Sequence, residues 1–222
     1  MSEPPALRLS RSAELALLFV GAPLVLLAAG RRVHPILVAV VVAAVVTWLL
    51  LRDRELDRGL LWRSAALRTS WKPLLLSFAA TVVLLTAGVA WLDPEKLFWL
   101  PRHRPGLWAL VMVAYPVFSV YPQEIIYRAF FFHRYRPLFG QGRAMVLASA
   151  VAFGFMHVLF RNWIAVGLTL AGGLVFAHRY RQSRSLLVTS LEHALFGQWV
   201  FTVGLGEYFF AGTMRLFTSV PP

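Results

Sequence analysis

Glu124, Glu192, His157 and His193 stand inside long apolar runs of this 222-residue sequence, and Arg128 joins them. A charged side chain at membrane depth costs at least a few kcal/mol unless it faces a partner or a polar interior, so ionisable residues there mark function. Their types suggest one chemistry above others. A carboxylate shielded from bulk water can take a proton from a bound water, and an imidazole can share or relay it. A second imidazole or an amide can donate to the oxyanion that forms when water attacks a peptide carbonyl. The chain has no cysteine, hence no thiol nucleophile, thiolate ligand or disulfide. No serine or paired-aspartate arrangement competes for the nucleophile's role.

These residues must be carried by helices that cross a bilayer. A hydrocarbon core of about 30 Å takes roughly 20 mostly apolar residues, and seven stretches qualify: Ala13–Ala29, Pro35–Leu51, Pro73–Leu92, Leu107–Phe132, Ala144–Phe160, Trp163–Ala177 and Leu186–Val203. An eighth, Tyr208–Phe217, is short for a span and is read equally as an interfacial or a re-entrant segment. Trp62, Trp71, Trp91, Trp99, Trp108 and Trp163 fall near span ends, as an aromatic belt requires. At about 1.5 Å per residue, Glu124 lies roughly 15 Å from Arg134, His157 roughly 21 Å from Arg143 and His193 roughly 14 Å from Arg184, all from one membrane face. The three therefore meet in one layer. Glu124 and Arg128, four residues apart, share a helical face and can pair. Pro122 removes a backbone donor just before Gln123 and Glu124, with Pro116 earlier in the same helix, so this stretch is expected to break or kink and to line a wet cavity.

Composition agrees with membrane residence: 59% of the residues are hydrophobic and 14% charged. The net charge of +12 does not point to nucleic acid, because the basic residues sit in short segments between apolar runs. Counted by side, the N-terminus and the even-numbered loops carry 14 Lys and Arg against 6 on the other side. The positive-inside rule then puts the N-terminus in the cytoplasm, and the short Arg-rich loops suit a bacterial inner (plasma) membrane. No cleavable signal peptide is evident, so the first helix is expected to be retained.

Gln123-Glu124-Ile125-Ile126-Tyr127-Arg128 resembles the E-E-x-x-x-R motif of the CAAX-protease and bacteriocin-processing family of intramembrane proteases. Phe153-Gly154-Phe155-Met156-His157 matches its F-x-x-x-H motif, and His193 the histidine of its third motif. The resemblance runs from about Ser119 to Gly204. It implies an all-α polytopic membrane helix bundle of seven or eight helices with its active site between the fourth, fifth and seventh spans. Residues 1–106 would be three membrane helices and residues 107–222 the protease core. It further implies a glutamate-dependent endopeptidase acting on a membrane-anchored or prenylated protein or peptide. Two positions depart from the pattern. The first glutamate, the family's usual base, is Gln123, and the asparagine four residues after the third-motif histidine is Gly197, with Gln198 the nearest amide. Glu124 is then expected to activate water with His157, His193 to stabilise the oxyanion, Arg128 to hold Glu124, and Gln123 to stand in the catalytic pair. No cofactor is expected, although Glu124, His157 and His193 also make a plausible zinc set with an open position for water.

The same residues admit plainer uses. Glu124 and Arg128 could be a structural ion pair, and Glu192, about 100° around its helix from His193, a structural acid. His133 and His178 read as interfacial, and Gly172-Gly173 as a close helix contact. A non-catalytic binding or scaffold protein would tolerate Gln123 and Gly197. A proton-coupled transporter would use the buried acids as a relay.

Overall fold

The computed structural model describes residues 5–30 and 35–209. Seven long helices stand at the seven expected positions: α1 (Ala6–Ala29), α2 (Pro35–Arg52), α3 (Ser64–Leu92), α4 (Pro105–Arg134), α5 (Arg143–Phe160), α6 (Trp163–Ser183) and α7 (Leu186–Val203). No strand occurs among the described residues. The fold is all-helical, as expected. Helices α1 to α5 are long and apolar enough to cross a membrane by length and composition. Helices α6 and α7 fall outside that group because they give Arg179, Thr169, Glu192 and His193 to the interior. Only Tyr208 and Phe209 of the eighth stretch are described, in a turn at Gly206–Phe209, and its remainder lies outside the described residues.

The Arg-rich ends gather at one end of the bundle. Arg134 at the end of α4 pairs with Glu14 near the start of α1, through Nε at 2.9 Å and through Nη2. His133 meets Asp53, just past α2, at 2.8 Å. Ser185, capping α7, donates to the Arg63 carbonyl before α3 at 3.0 Å. These ties confirm a common reference face for the depth comparison. The hydrogen bond from His133, then the Glu55 amide, holds the Asp53 carboxyl below the ordinary aspartate range.

Helix association in a membrane relies on close van der Waals packing. Phe19 of α1 sets its ring edge-on to Tyr127 and Phe131 of α4, at 5.6 and 5.0 Å between centroids. Ala43, Val46 and Leu50 of α2 pack with Ile125 and Ala129 of α4. Helices α5 and α6 touch through glycine: a Cβ on Gly173 would lie 3.2 Å from Ala150 Cα, and one on Gly154 3.2 Å from Leu170 Cα. The close contact expected of Gly172-Gly173 is made by Gly173. Large apolar side chains such as Leu76, Val83 and Trp91 cover the outside, which suits lipid as the surrounding solvent. Of the six belt tryptophans, Trp62, Trp71, Trp91 and Trp163 face out. Trp108 instead turns inward to donate to Thr202 at 3.0 Å, and Trp99 packs with the cluster around Leu100 and Phe201.

Helix α4 does not break at its prolines. It keeps right-handed helical dihedrals at the junctions and absorbs Pro116 and Pro122 with two widened π-helical turns, Pro116–Val120 and Ile125–Phe130. Such turns often occur at functional sites. This pair brackets Gln123 and Glu124.

Candidate active site

Glu124, immediately before the second widened turn, is fully buried. Its Oε1 accepts from His193 Nδ1 at 2.9 Å. Its Oε2 lies 3.4 Å from Arg128 Nε, close enough for charge attraction but without hydrogen-bond alignment. Arg128 is held from α5: Nη1 donates to Ser149 Oγ at 2.8 Å, and the guanidinium sits 5.1 Å from the centre of the Phe153 ring. A buried charge is tolerated when it is both paired and hydrogen-bonded. The expected Glu124–Arg128 pair is present, and α5 completes it.

His193 projects from α7 with both ring nitrogens engaged. A carboxylate can only accept, so Nδ1 carries the proton, and in the neutral ring Nε2 accepts from the Tyr115 hydroxyl at 3.2 Å. The ring stacks on Phe176 at 4.5 Å and stands edge-on to Phe153 at 5.4 Å, which fixes its plane. His157 ends the α-helical part of α5. Its Nδ1 donates to the Phe153 carbonyl at 2.7 Å, leaving Nε2 as a bare acceptor.

His157 and His193 face one cavity of about 620 Å³, with Tyr115, Ser119 and Gln123 as further polar walls. The lining comes from six helices; apart from Thr81 and Thr169, whose hydroxyls donate to carbonyls of their own helices, the rest of it is apolar, including Ile36 of α2 and Leu84 and Leu85 of α3. Gln123 points into this space and donates to Ser119 Oγ at 2.7 Å, whereas Glu124 lies behind His193 and does not line it. The structure thus gathers all five sequence-selected residues around one centre, with Gln123, His157 and His193 on the cavity and Glu124 and Arg128 behind it. Residues 105–199 match the Rce1-like family. Its description is type II CAAX prenyl endopeptidase Rce1-like, and the matched segment holds all three motifs of the CAAX-protease resemblance. No curated protein and no solved structure matches the chain. Together with five apolar helices, the match identifies an integral membrane protein.

Within this Rce1-like segment one of the two departures, Gly197, is coupled to Tyr115, a residue that the sequence placed in the pocket wall but gave no role. A Cβ on Gly197 would fall 2.2 Å from the Tyr115 hydroxyl oxygen, so Tyr115 fills the space where a side chain at position 197 would stand. Gln198 does not substitute; it donates to the Met112 carbonyl at 2.7 Å. The signal for Tyr115 was its place before Pro116, one of the two prolines that widen α4.

Glu192 belongs to a separate buried group. It takes two hydrogen bonds from Arg179, at 3.0 and 2.9 Å, and one from Ser77 of α3 at 2.6 Å. Because α6 runs on to Ser183, Arg179 is an interior residue and not a loop arginine. His178 is exposed at the end of α6. Among the described residues no three His, Asp or Glu side chains converge as a metal-ligand set.

Proposed function

We propose that the chain is an intramembrane endopeptidase that hydrolyses a peptide bond in a membrane-anchored protein or peptide, a prenylated one being the class implied by the family description. The observation that carries this reading is the pair of imidazoles on a mostly apolar cavity, each with one nitrogen already fixed by a hydrogen bond. His157 Nε2 takes a proton from water as its oxygen bonds to the scissile carbonyl carbon. The Tyr115 hydroxyl, turning from His193 Nε2, donates to the developing oxyanion. The C–N bond then breaks, and the leaving amine receives the proton from His157.

Glu124 acts through His193 in this scheme. Its oxygens face His193 and Arg128, so the direct proton-accepting role expected for it passes to His157, and the carboxylate fixes the His193 tautomer. No step uses a metal, and cleavage is expected to survive chelators. The Arg-rich end faces the cytoplasm of a bacterial inner membrane in this reading, which reporter fusions to the two sides check.

A second reading, a non-catalytic binder of lipidated or peptide tails, is favoured by Gln123, a side chain that cannot act as a base on the cavity wall. One experiment separates the two. Membrane proteomes from cells carrying the parent protein or the His157→Ala variant are compared for uncut precursors. An endopeptidase leaves a precursor accumulating with the variant; a binder leaves processing unchanged and keeps its tail-binding without His157.

A further inference from the structure

A second cavity, of about 70 Å³, opens at the Arg-rich end between the α4–α5 connection and the end of α6. Arg136, Arg181, Arg184 and His133 line it, with Gln141 and Tyr180. His133 is turned toward Asp53 at 2.8 Å. The three guanidinia make no ion pair among the described residues, although the nearby basic residues Arg63 and Arg134 both find carboxylates. Arg181 Nε is buried with no hydrogen-bond partner.

Gln141 cannot satisfy both of its arginine neighbours. In one amide orientation its oxygen accepts from Arg184 at 3.4 Å; in the other it accepts from Arg136, with Nε at 2.7 Å. Either way one of these two cavity-lining guanidinia is left without the Gln141 oxygen. An arrangement of planar five-donor groups around an acceptor-poor space matches a tetrahedral oxyanion, which arginine forks bind through paired hydrogen bonds. The cavity also sits level with the ends of α4 and α6, the depth at which lipid headgroups lie, and basic pockets between helices on the basic face of a membrane protein take anionic headgroups.

We propose that this cavity is a phosphate site that holds the phosphodiester of an anionic phospholipid against the end of α4, the helix bearing Glu124 and Arg128. The claim is independent of the peptidase reading, since no residue of the catalytic cavity takes part.

The full chain, purified in detergent, is titrated with phosphatidylglycerol or phosphatidylcholine, and retained lipid is counted by native mass spectrometry. Glycerol 3-phosphate is added as competitor in a separate arm. Phosphatidylglycerol is expected to be retained over phosphatidylcholine, and Arg181→Gln and Arg184→Gln each to lower its retention about 5-fold, the effect of one basic residue near an anionic surface. Arg143→Gln, on the same face but outside the cavity, leaves retention unchanged. Competition by glycerol 3-phosphate that disappears in Arg181→Gln supports the site with soluble phosphate as its source. No competition, with the lipid preference intact, supports a headgroup. Equal retention of the two lipids, or an Arg143→Gln loss as large as that of Arg181→Gln, overturns the proposal by reducing the effect to diffuse attraction. Arg181→Lys retains a charge but not the fork, and is expected to recover retention only in part.

Discussion

The Tyr115 hydroxyl occupies the space that a side chain at Gly197 would need, its oxygen 2.2 Å from where a Cβ would stand. Tyr115 reaches His193 at 3.2 Å only because position 197 is glycine. The pair is therefore one feature, and Gly197→Ala is expected to destabilise the protein by about 1–3 kcal/mol through overpacking. Tyr115→Ala removes the clash, so the double variant loses less than the two single losses added together. Thermal unfolding of the four proteins in detergent measures this; strict additivity disproves the coupling.

Replacing Glu124 by Gln removes the charge that fixes the His193 tautomer. Cleavage is expected to slow by about 10²-fold or more, in kcat and not KM, by analogy with carboxylates that orient a catalytic imidazole. The same change strands Arg128, and an unpaired buried charge costs about 3–5 kcal/mol. Arg128→Met is the control. In the Glu124→Gln/Arg128→Met double variant stability recovers while cleavage stays slow, and if cleavage recovers as well, Glu124 is a structural residue only.

Period and hydropathy made the seven helices legible, because lipid-facing residues must be apolar whatever the fold. Depth along three helices made the site's layer legible, since rise per residue is fixed. Which atoms meet was not legible. The order Gln123, then Glu124, says nothing of which faces the cavity, because that depends on the two widened turns of α4, and no helical wheel contains them. Arg179 was hidden for a related reason. The apolar run of α6 ends near Ala177, but a buried acceptor on α7 carries the helix and its arginine farther inward.

The contact between α2 and α4 should respond to acid. Asp53, half-buried against His133, has its pKa lowered by the hydrogen bond from His133, so its contribution is present above the unfolded value of 3.8 and fades as pH falls through the lower folded value. Asp53→Asn is expected to lower the melting temperature at neutral pH, and the gap to close as pH drops below the ordinary aspartate range. A gap that stays constant down to such pH means that Asp53 does not supply the titrating group.

Glu192 and Arg179 provide the sharpest test of which buried charges belong to chemistry. Both are buried, and they engage each other through two hydrogen bonds, with Ser77 on the same carboxylate. Neither lines the catalytic cavity. Glu192→Ala leaves the Arg179 guanidinium uncompensated and is expected to cost about 3–5 kcal/mol, whereas apolar replacement of both residues by side chains of similar volume is expected to be nearly neutral. The folded double variant should cleave as the parent does, because the proton path from water through His157 to the leaving amine does not pass through Glu192. If that variant unfolds normally but fails to process substrate, Glu192 reaches the reaction through its neighbour His193, and the chemistry draws on two acids, one on α4 and one on α7, where the geometry assigns a share only to Glu124.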